Sequence, residues 1–320
     1  MKDNLAYRAA DNRYDWADKI YARCGRSGVL LPRISLGLWK GFGATRPLNE
    51  SMRMIHYAFD HGITHFDLAN NYGPPYGSAE ETFGVIMEQS MRPYRDEMFI
   101  ATKAGYDMWP GPYGNWGSRK YLMASLDQSL QRMKLDYVDL FYSHRYDPNT
   151  PLDETLQALV DVVQQGKALY VGISRWPLKA LQYAAQYLKA HDVPLLTYQG
   201  RFNLLDRAVE DEGILQEVEN IGCGFVSFSP LAQGLLTERY LHGIPADSRM
   251  RTDVTLKESA LTPQLFEQLN QLKAEAEAVG LTLPQYALQW VLNHPTVTSV
   301  IVGVSKVEQL KENLALLTNN

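Results

Sequence analysis

The sequence predicts an α/β protein folded as a single (β/α)8 TIM barrel. Eight short apolar segments that resemble strands alternate with amphipathic segments that resemble helices. No Pro-rich linker divides this alternation into halves. A doubly wound sheet is the alternative, but it usually has fewer strands and carries a G-x-G-x-x-G turn after the first of them. Residues 37–43 do not supply that turn, which favours the barrel.

The predicted elements follow this alternation along the chain. Residues 1–18 are polar and are predicted to be a flexible N-terminal segment, and residues 19–320 form the barrel domain. Residues 19–23 and 29–32 flank a glycine-containing turn and predict an N-terminal β-hairpin. The eight strands are centred near residues 35, 65, 100, 139, 171, 197, 226 and 300. Helices are expected at about 49–61, 77–90, 118–133, 152–165, 177–190, 209–221, 282–293 and 305–317.

The connection after the seventh strand is longer than an ordinary one. Residues 229–280 contain an extra predicted helix from about Pro263 to Val279. Long connections inside a compact domain are usually functional. We therefore expect this segment to contribute to a binding site.

Composition excludes several classes of protein. The net charge of -5 and the scattered Lys and Arg residues argue against binding to nucleic acid or to an anionic membrane. Cys24 and Cys223 match no disulfide or metal spacing and suggest a reducing compartment. The first residues lack the apolar core of a signal peptide, and no apolar run reaches the length of a membrane span. These features predict a cytoplasmic protein.

Titratable side chains end three successive predicted strands. Asp67, Lys103 and His144 are separated by 36 and 41 residues, about one βα unit each. The C-terminal ends of barrel strands meet at one face, where catalysis takes place in such barrels. Tyr72 follows Asp67 in the adjoining loop. We expect these four groups to lie together.

This combination fits a proton donor for carbonyl reduction. A free tyrosine has a pKa near 10, and a nearby ammonium would favour the phenolate and lower that pKa. Lys103 would have this effect on Tyr72, while Asp67 would keep Lys103 charged and oriented. His144 could hydrogen-bond the carbonyl oxygen as negative charge develops there.

The same residues suggest two other chemistries. His65 and Asp67 share one strand face, so together with His144 they could hold a metal ion as in a hydrolase. Lys103 would repel a dication at that point, so we predict no metal. A glycosidase requires two facing carboxylates, and Asp67 has no evident second.

A phosphate site is predicted at the start of the last helix. Residues 302–306 follow the last strand and open that helix, whose free N–H groups favour an anion. Lys306 and Arg249 could bind a second phosphate. Arg119, Lys120 and Arg145 lie near the predicted mouth, and any of them could meet a phosphate of the substrate.

These motifs resemble the aldo-keto reductase superfamily over residues 23–317. Residues 66–73 are similar to its aspartate–tyrosine block, and the resemblance implies a tetrad of Asp67, Tyr72, Lys103 and His144. It also implies NADPH as cofactor, with Arg175 standing where Asn or Ser is commoner. The implied substrate residues are Trp39, Tyr72, Tyr106 and His144. The implied cofactor residues are Trp39, Asp67, Ser174, Arg175, Gln199, Phe228, Ser229, Pro230, Leu231, Ala232, Gln233, Arg249, Gly303, Ser305, Lys306, Gln309, Glu312 and Asn313.

Two loops place the chain more closely within that superfamily. Residues 67–75 and 103–114 resemble bacterial L-glyceraldehyde 3-phosphate reductases, a group that also reduces methylglyoxal and forms homo-oligomers. The resemblance therefore implies a homo-oligomeric reductase of small aldehydes. Potassium-channel β-subunits are a neighbouring branch, which usually carries Asn where this chain has His144. The alternative function is thus an NADPH-binding, redox-sensing subunit with little or no catalysis.

Overall fold

The predicted strands close into a parallel barrel in a computed structural model of the protein, which describes residues 7–240 and 261–318. Neighbouring strands pair in chain order, and the last strand pairs with the first. This confirms the predicted (β/α)8 class. The hairpin strands are β1 (Tyr21–Arg23) and β2 (Leu30–Pro32). The barrel strands are β3 (Ile34–Gly37), β4 (His65–Asp67), β5 (Phe99–Ala104), β6 (Val138–Ser143), β7 (Ala168–Ser174), β8 (Thr197–Arg201), β9 (Gly224–Phe228) and β10 (Val297–Val302).

Helices surround the barrel close to the predicted positions. The predicted helix at 77–90 ends at Ile86 and continues as a π-helical turn over Met87–Met91. The predicted helix at 209–221 is divided at Gly213, whose φ of 76° is left-handed. The α-helices are Ala17–Ile20, Leu48–Asp60, Ser78–Ile86, Arg119–Met133, Leu152–Gln164, Leu178–Ala190, Ala208–Asp211, Ile214–Ile221, Pro263–Ala278, Leu283–Leu292 and Val307–Thr318, and the 3-10 segments are Arg92–Glu97, Ala232–Gly234 and Glu238–Tyr240.

Side-chain caps fix the starts of several helices. Ser118 Oγ accepts a hydrogen bond from Tyr121 N at 3.3 Å and so begins the helix Arg119–Met133. Thr282 and Gln285 form a reciprocal capping box at Leu283–Leu292. These caps hold the helix starts in position against the barrel.

The predicted hairpin is present and covers the N-terminal end of the barrel. Cys24 Sγ donates to Leu196 O at 3.6 Å, immediately before β8. Arg26 N donates to Gly222 O at 2.8 Å, just before β9. Cys24 and Leu31 join the apolar cluster inside the barrel. The opposite, C-terminal end remains the face where the strand-end side chains meet.

Part of the segment predicted to be flexible makes specific contacts with the helices beside the barrel. Tyr7 OH donates to Asp60 Oδ1 at 2.8 Å, and Ala10 N donates to the same oxygen at 2.8 Å. Arg13 forms an ion pair with Glu97 at 2.5 Å. Residues 7–16 therefore lie against the outer layer of the domain.

The extra helix predicted after the seventh barrel strand is present as Pro263–Ala278, with Thr262 Oγ1 accepting from Leu265 N at 3.2 Å. Leu269 and Ala276 bury its inner face. Among the residues that the structure describes, no helix combines the length and the apolar character needed to cross a membrane.

Candidate active site

Two neighbouring strands, β4 and β5, and the loop after β4 bring Asp67, Lys103 and Tyr72 together. Lys103 is fully buried, and its Nζ lies 2.5 Å from Asp67 Oδ2 and 2.6 Å from Leu68 O. The same Nζ lies 3.4 Å from the Tyr72 hydroxyl. The register of β4 with β5 sets the distance between Asp67 and Lys103, because Asp67 pairs with Ala101 and Lys103 lies two residues farther along β5. Asp67 therefore neutralises and orients the ammonium beneath the phenol.

The loop that carries Tyr72 is fixed by the start of the next helix. Ala79 N donates to Tyr72 O at 3.3 Å. Gly73 has φ 109°, and a Cβ at that position would lie 2.0 Å from Ser78 Oγ. Only glycine fits this close, left-handed turn. The helix Ser78–Ile86 thus holds the backbone of Tyr72 in place.

His144 lies beside the phenol, directly after β6. Its backbone N donates to Ala104 O at 2.9 Å. Its ring meets the Tyr72 ring nearly at right angles, with centroids 5.9 Å apart, and the Tyr106 ring likewise at 4.7 Å. Its Nδ1 is buried, with no hydrogen-bond partner among the described residues. A buried polar atom without a partner is uncommon, and a bound ligand could supply the missing partner here.

Burial sets the protonation states of these groups. It raises the pKa of the Tyr72 phenol well above its ordinary value, and the negative charge of Asp67 acts in the same direction. The sequence predicted a lowered pKa for this phenol, whereas burial, followed by the charge of Asp67, raises it in the structure. Burial lowers the pKa of Lys103, although Asp67 opposes that shift. Burial, with Lys103 and two arginines, lowers the pKa of His144 far below its usual range. The phenol is therefore protonated and the imidazole neutral at neutral pH.

The ends of β7 and β8 add a second group of polar side chains. Gln199 Nε2 donates to Asp67 Oδ1 at 3.1 Å, so Gln199 and Lys103 share that carboxylate. Ser174 is buried beside Gln199 in the paired strands. Arg175 is exposed, has φ 59°, and donates from Nη1 to Tyr106 OH at 3.0 Å. These residues border the mouth on the side opposite the Tyr72 loop.

The segment after β9 takes an unusual backbone path. Ser229, Ala232 and Gln233 have φ values of 53°, 47° and 58°, all left-handed although none is glycine. Such conformations cost free energy and are concentrated at ligand-binding sites. Asn203 holds the segment, since its Nδ2 donates to Ser229 O at 3.0 Å. Sequence reasoning missed Asn203, and only its place two residues after β8 could have suggested it.

The remaining predicted cofactor residues lie on the same rim. Trp39 is exposed and its ring lies 6.2 Å from that of Tyr72. Phe228 is half-buried, with Arg201 Cζ 5.8 Å from its ring centroid, and Pro230 and Leu231 continue the segment after it.

The residues after β10 occupy the same end of the barrel. Gly303 is exposed and lies beside β3, where an added Cβ would come no nearer than 3.9 Å to Gly37 O. Ser305 N donates to Gln309 Oε1 at 2.8 Å, and Lys306 is exposed. The carbonyl of Glu312 accepts from Gln285, and Asn313 is buried. Arg249, predicted for the same phosphate end, lies outside the described residues.

Sequence comparisons then place the chain among known proteins. The aldo/keto reductase family matches residues 33–320. This chain belongs to the aldo/keto reductase family. It is similar to the L-glyceraldehyde 3-phosphate reductase of Escherichia coli K12, with 53% identity over 304 residues that cover 93% of this chain and 88% of that protein. It is also similar to a probable voltage-gated potassium channel subunit beta of Arabidopsis thaliana, at 34% identity over 92% of this chain and 90% of that protein.

As a member of the aldo/keto reductase family the protein is an oxidoreductase. Family members generally use NAD(P)H. The residues present fit such a dinucleotide. The left-handed backbone at Ser229, Ala232 and Gln233 is of the kind concentrated at ligand sites, and Gly303 leaves open space beside β3.

His65 has a structural role in this aldo/keto reductase. It is fully buried, and its Nδ1 lies 2.8 Å from Ser35 Oγ, which in turn lies 2.6 Å from Ser299 Oγ. Its ring packs edge-on against Phe99. No group of three possible metal ligands was found among the described residues. His65 therefore ties β4 to β3 and β10 inside the barrel.

Proposed function

We propose that this protein is an NADPH-dependent reductase of small aldehydes, such as L-glyceraldehyde 3-phosphate or methylglyoxal, with Tyr72 as the proton donor. The single observation that carries the proposal is the chain of contacts from the buried Asp67–Lys103 pair to the half-buried Tyr72 hydroxyl, at 2.5 and 3.4 Å. The similarity to an L-glyceraldehyde 3-phosphate reductase supports the choice of substrate.

Each residue has a distinct task in the proposed reaction. Tyr72 donates its phenolic proton to the carbonyl oxygen, and its raised pKa keeps that proton in place before the reaction. Lys103 stabilises the phenolate that forms when the proton leaves. His144, held neutral by burial, orients the carbonyl by hydrogen bonding to its oxygen. Asp67 holds Lys103 in place and shares its second oxygen with Gln199.

The cofactor would bind along the rim already described. Bound NADPH would supply a hydride to the carbonyl carbon. Ser174 and Gln199 would hold the nicotinamide amide, and Phe228 would stack on its ring. Residues 229–233 would contact the pyrophosphate, and Lys306 with its neighbours Gln309 and Asn313 would hold the adenosine phosphate end.

Replacement of Tyr72 tests the proposal directly. Tyr72→Phe should lower kcat for aldehyde reduction about 10²- to 10⁴-fold, since it removes the general acid. Lys103→Met should have a similar effect through loss of the charge beside the phenol. NADPH binding, followed by fluorescence titration, should persist in both variants. Tyr76→Phe, on the same loop but at an exposed ring, is the matched control. Near-normal turnover by a folded, NADPH-binding Tyr72→Phe protein would contradict the assignment.

The similarity to potassium channel β-subunits raises a second candidate, an NADPH-binding subunit that senses redox state. The two functions differ in the time course of NADPH consumption. Continuous oxidation of NADPH with L-glyceraldehyde 3-phosphate or methylglyoxal supports the reductase. Tight cofactor binding with one slow turnover supports the sensor.

A further inference from the structure

Tyr106 lies between two guanidinium groups at the mouth of the barrel. Arg175 Nη1 donates to the Tyr106 hydroxyl at 3.0 Å, and Arg145 Cζ lies 4.4 Å from the centre of the Tyr106 ring. The same ring contacts His144 edge-on at 4.7 Å. The ring of Trp116 also contacts Arg145, whose Cζ lies 3.5 Å from the ring centroid. Both cations are thereby fixed next to the imidazole that would face the substrate carbonyl.

The hydrogen bonds of these two arginines, among the residues that the structure describes, go to neutral acceptors. Arg145 donates to Gly105 O at 2.7 Å and to Asn115 Oδ1 at 2.6 Å, both neutral acceptors. In the part of the chain that the structure describes, neither Arg145 nor Arg175 forms an ion pair with a carboxylate. A guanidinium has five N–H donors, so each retains donors for a ligand. The influence of both arginines on the pKa of His144 agrees with their proximity to it.

The other cations near the mouth are placed differently. Arg119 is paired with Asp161, and its backbone N donates to Glu154 at 2.9 Å. Lys120 is exposed, with its Nζ 5.2 Å from the centre of the Tyr113 ring. Of the three basic residues that the sequence offered for a substrate phosphate, only Arg145 contacts a ring that touches His144.

We propose that Arg145 and Arg175 form an anion-recognition pair that selects aldehydes carrying a phosphate close to the carbonyl group. A short chain of carbon and oxygen joins phosphorus to the carbonyl carbon in a triose phosphate. The phosphate therefore stays within a few ångströms of His144. The planar fork of a guanidinium matches two phosphate oxygens at once, which a lysine cannot do. Arg175 thus acts on the substrate in addition to bordering the cofactor site. This inference rests on the proposed reductase function.

The test is the ratio of kcat/KM for L-glyceraldehyde 3-phosphate to kcat/KM for L-glyceraldehyde. In the unaltered enzyme the phosphorylated aldehyde should be preferred. Arg145→Gln and Arg175→Gln should each lower the ratio roughly 10- to 100-fold, the usual effect of losing a hydrogen bond to a charged group. Arg119→Gln, a matched arginine paired with Asp161, should leave the ratio unchanged. A parallel loss for both substrates would overturn the proposal, because it would assign the arginines to the loop or to the cofactor.

A binding measurement on the unaltered protein makes the test independent of variants that fail to fold. Calorimetric titration of the NADP⁺-loaded protein should show glycerol 3-phosphate binding at least about tenfold more tightly than glycerol. Tyr106→Phe, which releases Arg175 but keeps both charges, should reduce that difference. Equal affinities, or equal kcat/KM for the two aldehydes, would overturn the anion-recognition pair and leave the reductase function standing. Preferential binding of glycerol 3-phosphate without turnover of either aldehyde would instead contradict the reductase function.

Discussion

The half-buried rings of Tyr72 and His144 contact each other, and desolvation moves their pKa values in opposite directions. The phenol is uncharged when protonated and the imidazole is uncharged when deprotonated, so burial favours the neutral form of both. A protonated phenol can donate, and a neutral imidazole can still hydrogen-bond an oxygen through one N–H. At neutral pH the Tyr72 phenol therefore keeps a proton to give, and the neutral His144 imidazole keeps an N–H for hydrogen bonding.

The sequence was sufficient to select these residues but not to assign their electrostatics. Asp67, Lys103 and His144 could be predicted because barrel strands end at one face and the spacing matched one βα unit. The direction of the Tyr72 pKa shift depends on side chains that cover it from distant segments, among them Tyr106. No local pattern reports that burial. The pairing of Arg175 with Tyr106 was beyond prediction for the same reason.

The buried His65 should make the stability of the folded protein depend on pH. Its pKa is lowered by burial from 6.5 to about 4 in the folded protein. The unfolded state binds the proton first as pH falls, so stability decreases between about pH 6.5 and 4. From pH 7.5 to pH 5 this one residue should cost about 2 kcal/mol of unfolding free energy.

Urea unfolding at the two pH values measures this effect. His65→Gln should lose less stability on acidification than the unaltered protein, by about the same 2 kcal/mol. His144→Gln, measured in parallel, accounts for the other buried histidine at the site. An identical loss with and without His65 would show that its folded pKa is not lowered.

At the scale of single elements, the helix Ser78–Ile86 connects the two halves of the proposed tetrad. Its first turn holds the carbonyl of Tyr72 through Ala79 N. One residue later, the fully buried Glu80 accepts a hydrogen bond from Thr102 Oγ1, next to Lys103. Arg132 completes the arrangement with an ion pair to Glu80 at 2.8 Å. The helix thereby holds both the loop that carries Tyr72 and the strand that carries Lys103.

Glu80→Gln should therefore destabilise the protein by about 3–5 kcal/mol, because it leaves the largely buried Arg132 without its counter-charge. Urea unfolding measures this effect, since it gives both the midpoint and the free energy of unfolding. Glu88→Gln removes the exposed pair with Lys134 and serves as the control, with no expected change. Equal stability of the two variants would show that the buried ion pair contributes nothing.

Helix positions were predictable from the 3.6-residue period, but their interruptions were not. Gly213 lies inside a segment whose apolar spacing runs on, and only its left-handed conformation divides the helix. The π-helical turn at Met87–Met91 likewise leaves the apolar pattern intact, with Met87 and Met91 both buried. The spacing of apolar residues indicates which face of a helix is buried, whereas backbone conformation determines where the helix ends.

At the scale of the whole molecule, barrel closure depends on the pairing of β3 with β10. Val300 pairs with Ile34, and Ser299 Oγ reaches both Ser35 Oγ and Pro32 O at 2.6 Å. The alternation of strands and helices predicted the closed fold because eight parallel strands with covered faces have few other arrangements. The register at this seam was not predictable, since every strand there is uniformly apolar or small.

Truncation should show how far the fold depends on that seam. A chain ending at residue 296 leaves the edges of β3 and β9 unpaired, and unpaired edges promote aggregation. It should elute in the void volume on size-exclusion chromatography. A chain ending at residue 306, which keeps β10 and loses the last helix, is the control and should retain more folded material. A 296-residue product that elutes like the full chain would contradict this dependence.

The pairing of β3 with β10 also determines when the barrel can close during synthesis. Ser35 and Ser299, which contact each other in the barrel, are 264 residues apart in the chain. At translation rates of about 5–20 residues per second, β10 is synthesised roughly 10–50 s after β3. During that interval the nascent barrel has an open edge that another strand could occupy. The length of chain between the two strands, rather than the stability of any one element, therefore sets how long this edge stays open during synthesis.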